Sequence, residues 1–258
     1  MVGPLIVKIG GSTLGSEDTT LEDLAELYKN GRRLVVVHGG GATITQWMAR
    51  GGAEARFHQG LRVTDEAALE VVVAVLAGLV NKTLVAALQR LGVPALGLSG
   101  ADGGLLAARI EDPSLGRVGA VESVKQEPVQ MAWQAGYLPV IAPLALSLDD
   151  DPSGPGHLLN VNADTAAGEL AVALQAEELC FLTDVPGVLD ESGHPLETLT
   201  PVAALALLSA GIAAGGMVPK LEAGLRACAA GARCRIIDGR SPHALRTALE
   251  RGGGTLLA

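Results

Sequence analysis

Residues 34–41, Leu34-Val35-Val36-Val37-His38-Gly39-Gly40-Gly41, decide how the chain is read. Four aliphatic residues, three of them β-branched, run directly into a triple glycine. The aliphatic run has the composition of a strand buried on both faces. The glycines end it at a backbone bare enough to approach another molecule closely. Residues 42–50, ATITQWMAR, then have helical character. Strand, glycine turn and helix start together make a cradle for an anion: unscreened N–H groups face the ligand, and the helix N-terminus adds positive potential.

The same device opens the chain. Residues 5–12 read LIVKIGGS, a short apolar strand that carries Lys8 and ends in Gly10-Gly11. A single turn of this kind is equally a tight strand-to-helix connection. Two of them, one with a lysine embedded, point to a site for phosphates.

The bulk composition agrees with an α/β chain. Of 258 residues, 48% are hydrophobic and only 2% aromatic, so the core is built from Leu, Val and Ala. That suits helices packed on a buried parallel sheet. A net charge of −9 argues against a general nucleic-acid binder, though not against a local basic pocket. Cys180, Cys228 and Cys234 are odd in number and lack zinc-ligand spacing, which reads as three small buried hydrophobes in a reduced compartment. The first apolar run holds Lys8 and two glycines and is no signal peptide. The longest helical apolar run, Val71 to Val80, is bounded by Glu70 and Asn81-Lys82 and is short for a bilayer span. The expectation is a cytoplasmic protein with no membrane partner.

Outward from the two glycine turns, strands and helices alternate. Thr19–Asn30 reads as a helix stopped by Gly31, with Glu22, Asp23 and Glu26 on its wet face. Residues 57–65, FHQGLRVTD, form a polar segment with an isolated Arg62, either a binding loop or a solvated charge. Thr64 can cap the next helix, which is apolar nearly all round from Val71 to Val80 and therefore deep core or a subunit interface. Strands are expected at 93–98, 138–141, 178–182 and 234–237, a hairpin excursion within 105–125, and helices at 129–135, 165–174, 202–210, 221–231 and 242–251. Residues 149–156, DDDPSGPG, fit a solvated turn better than a metal site. Asn160, Asn162 and Asp164 alternate, so an extended segment would turn all three to one face. Residues 183–189, TDVPGVL, make a turn of the kind found at ligand-facing strand ends. Residues 211–220, GIAAGGMVPK, deliver Lys220 to a helix start. The sheet should be mostly parallel.

Neither GxxxxGK[ST] nor GxGxxG occurs in the chain. The glycine turns come instead with two distant lysines, Lys8 and Lys220, and a helix-start aspartate, Asp164. Phosphoryl transfer needs reactants held in line and cations around the moving oxygens. Two lysines could supply those cations, with an aspartate between them to hold both. Either lysine alone reads as a surface charge.

Taken in order, VKIGGS, VVVHGGG, GLRVTD, NKTL, NVNAD, LTDVPGVL and GGMVPK resemble the amino-acid kinase family over essentially the whole chain, and within it the branch that phosphorylates N-acetyl-L-glutamate. The resemblance implies a three-layer α/β/α sandwich with an open, mainly parallel central sheet. It implies an N-lobe, 1–172, for the acylamino acid and dimerisation, and a C-lobe, 173–258, for ATP. Lys8 and Lys220 would stabilise the transferring phosphoryl group, with Asp164 orienting them. Gly40, Gly41, Arg62 and Asn160 would bind the substrate, Arg62 through its α-carboxylate. Gly10 and Gly11 would contact the phosphates. Asp184, Val185, Pro186, Gly187, Val188, Leu189, Ile212, Ala213 and Ala214 would line the ATP pocket. Magnesium would ride on the ATP phosphates without a protein metal site, and the apolar helix at 71–80 would form a homodimer. Because the chain begins almost at its first strand, an arginine-insensitive dimer is expected. The rival within the family is a kinase for carrier-linked 2-aminoadipate or glutamate; the intact GLRVTD and the −9 charge favour the free N-acetyl substrate. A non-catalytic regulatory module would be expected to lose Lys8, Lys220 or Asp164, and all three are present.

Overall fold

The computed structural model describes residues 3–10, 19–58, 60–149, 157–190 and 192–258. Gly11, Gln59, most of DDDPSGPG and Glu191 lie outside the described residues.

In chain order, β1 (Leu5–Ile9), α1 (Thr20–Lys29), β2 (Leu34–His38) and α2 (Gly41–Arg50) are followed by a small hairpin, β3 (Phe57–His58) and β4 (Leu61–Arg62). Next come α3 (Glu66–Val73) and α4 (Asn81–Arg90), joined without a break by a π-helical stretch, Ala74–Val80. Then follow β5 (Ala95–Ser99), β6 (Leu106–Ile110), β7 (Gly119–Val124), α5 (Glu127–Gln134), β8 (Leu138–Ala142), β9 (Leu144–Ser147), β10 (Leu158–Asn160), α6 (Ala163–Ala173) and β11 (Glu178–Thr183). The chain closes with β12 (Thr198–Leu199), α7 (Pro201–Ser209), α8 (Met217–Ala229), β13 (Arg233–Asp238), α9 (Ala244–Arg251) and β14 (Thr255–Leu257).

The main sheet has the order β12-β14-β13-β11-β1-β2-β8-β5, and every pairing is parallel except β13–β14. Both faces are buried because strand residues alternate sides. Ile6, Val35, Val37, Leu179 and Phe181 face one apolar core with α6 and α8. Leu5, Val7, Leu34, Val36 and Cys180 face another with α1, α4 and α9. The result is the expected α/β/α sandwich. The excursion at 105–125 is an antiparallel hairpin, β6–β7, that joins β9 and β10 in a second, four-stranded sheet.

Two local expectations change. Asn160, Asn162 and Asp164 do not lie on one extended segment: the helix starts at Ala163, and Asn162 is its N-cap, its Oδ1 accepting from the Asp164 and Thr165 amides at 2.8 and 3.2 Å. The apolar run at 71–80, expected to be too short for a bilayer span, is also part of a longer helix that continues through Asn81-Lys82. That helix runs from Glu66 to Arg90, long and apolar enough by length and composition to cross a membrane, yet Leu84 and Leu88 pack into the core beneath the sheet. Of DDDPSGPG only Asp149 is described; it is half-exposed in a bend, and its Oδ2 accepts from the Ile110 amide at 2.7 Å. Cys180 and Cys234 are buried, and burial pushes both thiols well up, so they behave as core hydrophobes.

Candidate active site

Lys8 shares the parity of Ile6 on β1, so its side chain emerges on the α6–α8 face of the sheet. The two helices cross closely there. A Cβ on Gly168 would sit 2.7 Å from Ala223 Cβ, so glycine on α6 lets the backbones approach. One turn before that crossing stand Asp164 on α6 and Lys220 on α8. Lys8 Nζ lies 2.9 Å from Asp164 Oδ1, and Lys220 Nζ 3.0 Å from Asp164 Oδ2. Lys220 also donates to the Gly216 carbonyl at 3.0 Å. Lys8 meets Oδ1 off the direction of a good hydrogen bond, so that contact is an ion pair.

All three residues are buried. Burial alone would raise the Asp164 carboxyl; the charges of Lys8 and then Lys220 overcome it and hold the group below its ordinary value. Asp164 is therefore an anion with both oxygens committed. It organises two ammonium groups and is unsuited to taking a proton.

A cleft of about 170 Å³ reaches Asn162 and Ala163, the two residues before Asp164. It gathers Gly40, Gly41, Arg62 and Asn160, which the chain brings from three separate regions, and the N-terminal ends of α2 and α6 border it. Each polar wall is braced. The Arg62 guanidinium stacks 4.7 Å from the Phe57 ring centroid and donates through Nη2 to Gly41 O and Thr45 Oγ1, both at 2.9 Å. Burial lowers its pKa somewhat without removing its charge. Asn160 Nδ2 donates to Thr64 Oγ1 at 3.1 Å, and the Thr64 hydroxyl donates to Arg62 O at 2.8 Å. Phe57, Thr45 and Thr64 were not among the expected site residues. Thr64 is not the cap of α3; Asp65 fills that role, accepting from the Ala68 amide at 2.9 Å.

A second cleft, of about 400 Å³, collects Val185, Gly187, Val188, Leu189, Ile212, Ala213 and Ala214. Leu207 and Met217, which the sequence reading missed, complete its apolar wall. Asp184 and Pro186 are exposed and outside this lining. Gly10 is buried and its N–H donates to Leu182 O at 3.1 Å, extending the β1–β11 ladder, so in this geometry that amide is already used. Among the described residues, no three His, Cys, Asp or Glu side chains gather as a metal cage.

Comparison with known proteins gives a consistent answer. Residues 3–238 match the profile of the Amino acid kinase family. An acetylglutamate kinase of Dehalococcoides mccartyi is 46% identical over 248 residues, 96% of this chain and 91% of the relative. One from Rubrobacter xylanophilus is 46% identical over 255 residues, 98% and 96% of the two chains. Among solved structures, smu.665 from Streptococcus mutans UA159 superposes with a TM-score of 0.83 at 30% identity, covering 98% of each chain.

Proposed function

The chain belongs to the amino acid kinase family, and from that premise we propose how its residues divide one reaction, the transfer of the γ-phosphoryl group of ATP to the side-chain carboxylate of N-acetyl-L-glutamate, a step of arginine biosynthesis. One observation carries the assignment of roles: two lysines share one buried aspartate, and the chain ties that trio to both clefts, since Ala163 beside Asp164 lines the polar cleft and Met217, about one helical turn before Lys220, lines the apolar one.

The polar cleft holds the acylamino acid. Arg62 takes the α-carboxylate, for which a planar fork of donors is suited. Asn160 binds the acylamino group. Gly40 and Gly41 present N–H groups, with the α2 N-terminus behind them, to the reacting carboxylate. The apolar cleft holds the adenosine part of ATP along 185–189 and 212–214. Magnesium arrives on the ATP phosphates, whose oxygens are its ligands, and supplies charge neutralisation there. Asp164 is committed to the lysines and is not offered to the metal.

In the reaction, a substrate carboxylate oxygen attacks the γ-phosphorus, and the bond from that phosphorus to the leaving oxygen of ADP breaks. The attacking carboxylate is already ionised, so no base has to remove a proton. What remains is alignment and charge. Lys8 and Lys220 place ammonium groups beside the transferring oxygens, and Asp164 fixes their positions.

The lobe division at 172/173 is part of the same proposal. Its support is that every residue lining the polar cleft precedes it and every residue lining the apolar cleft follows it. A homodimer through the long helix is supported by apolar residues left exposed on its outer side, Ala74, Gly78 and Leu79.

The test is trapping of the acyl phosphate with hydroxylamine in the presence of ATP, magnesium and either N-acetyl-L-glutamate or N-acetyl-L-2-aminoadipate. Hydroxamate from the glutamate compound is expected. Hydroxamate from neither, with ATP still bound, would overturn the assignment.

A further inference from the structure

His38 ends β2 and is completely buried, immediately before the glycines that floor the polar cleft. Its Nδ1 lies 2.9 Å from the carbonyl of Gly39, and its Nε2 3.1 Å from the side-chain nitrogen of Asn81. The surroundings of Asn81 decide which ring nitrogen carries the proton. The same Asn81 nitrogen lies 2.9 Å from Val140 O and 3.4 Å from Leu98 O, and carbonyls only accept. Asn81 Oδ1 lies 2.9 Å from the ammonium of Lys82, which only donates. The amide orientation is thus set from both ends, and the group facing His38 is an NH₂ donor. Nε2 must accept, so the proton sits on Nδ1 and is donated to Gly39 O.

The consequence follows from peptide geometry. The Gly39–Gly40 bond is trans, so its C=O and N–H point in opposite directions. With the carbonyl held against the His38 ring, the Gly40 N–H is directed away from it. Gly40 lines the cleft, and its amide has no hydrogen-bond partner among the described residues. We infer that His38 is a positioning residue: its Nδ1–H, kept on that nitrogen by Asn81, locks the Gly39 carbonyl and thereby aims the Gly40 N–H at the reacting carboxylate. The inference rests on the function proposed above for this cleft.

The fold is shaped to make this contact. Along the long helix the buried residues Val72 and Leu76 are spaced by four, but the next, Asn81, follows by five, across the π-helical turn. The wide turn brings a polar side chain, rather than its neighbour, over the sheet. Beneath it Gly97 on β5 has no side chain, and a Cβ there would overlap Asn81 Oδ1. The same helix presses on the glycine turn from the other side, since a Cβ on Gly40 would lie 2.6 Å from Leu76. A neutral imidazole suits the arrangement. Burial, aided by the Lys82 charge and opposed by the Gly39 carbonyl, lowers the His38 pKa to about 4.

Two substitutions separate positioning from packing. In His38→Asn the amide nitrogen takes the place of Nδ1 and still donates to Gly39 O. In His38→Gln the amide oxygen takes the place of Nε2, still accepts from Asn81, and leaves Gly39 without a donor. For His38→Gln we expect kcat to fall about 10- to 100-fold, with both KM values within about threefold, as for a misdirected transition-state donor. For His38→Asn we expect kcat within about fivefold of the parent, whatever its thermal midpoint. The reverse ranking, or equal kcat in the two variants, overturns the proposal. Nitrogen-15 NMR of the unsubstituted chain provides a readout independent of activity. One histidine should carry its proton on Nδ1 and keep it unchanged between about pH 5.5 and 8. An Nε2–H tautomer for His38 overturns the proposal even if the kinase assignment stands. Absence of acyl phosphate from the parent with the Nδ1–H tautomer present would instead defeat the kinase assignment.

Discussion

The polar cleft is walled by groups that hold one another: Phe57 and Thr45 hold Arg62, Thr64 holds Asn160, and Asn81 holds His38. The apolar cleft, by contrast, is walled by small aliphatic side chains on the 185–189 and 212–214 loops, with Leu207 and Met217 behind them. The first arrangement recognises a charged molecule, whose every mispaired group is expensive once desolvated. The second offers an apolar slot to a flat ring, and most of its contribution is area removed from water. Lys8, Asp164 and Lys220 line neither cleft but form a junction through the chain, Ala163 before Asp164 lining the first and Met217, about one turn before Lys220, the second. Damage should therefore separate by region: turnover at the junction, substrate constant on one side, nucleotide constant on the other.

The largest effect should come from the junction. Lys220→Ala is expected to lower kcat roughly 10²- to 10³-fold with both clefts still binding, because a cation is lost where transition-state charge develops. The hydroxamate assay reads turnover, and circular dichroism checks that the fold persists. Turnover at the parent rate would remove Lys220 from the junction.

Acid should strike the polar side, where His38 is buried neutral. The unfolded chain takes up a proton near pH 6.5 and the folded chain only near about pH 4. Over that window the unfolded state binds more protons, so stability rises with pH and is lost as pH falls from about 6.5 towards 4, by about 3 kcal/mol for this group. Urea unfolding at pH 7 and pH 5 should show the loss in the parent and a smaller one in His38→Asn. Equal losses would place the acid sensitivity elsewhere.

Arg62→Ala should raise the KM for N-acetyl-L-glutamate roughly 10- to 100-fold, the scale of hydrogen bonds to a charged group, with the KM for ATP within about twofold. If both constants rise together, the two clefts do not act separately. The smallest expected change is Met217→Ala, which should raise the KM for ATP about 3- to 10-fold through lost apolar contact and leave the acyl-substrate constant unmoved.

Much of this was legible beforehand, for a local reason. Unbroken aliphatic runs such as LVVV and LIVKI specify buried strands, glycines mark where they stop, and helical stretches between them require a parallel sheet. The main sheet confirms that at β1, β2, β8 and β11. Short two- and three-residue pairings such as β12 and β14 were missed, because so few residues carry no usable periodicity. At NVNAD the alternation of polar residues looked like a strand face, but Asn162 satisfies helix amides instead. Competition between side chain and backbone for the same hydrogen bonds is invisible in spacing alone.

By itself the sequence determined the α/β class and the residue types available for phosphoryl transfer, since both follow from the order of side chains along one chain. Only the tertiary structure decided which of them meet. Lys8 and Lys220 share Asp164 because Gly168 lets α6 and α8 cross closely. Asn81 reaches His38 because a π-turn shifts the helix register over a glycine in the sheet. Those meetings depend on packing distances between elements far apart in the chain, and no local pattern of residues encodes them.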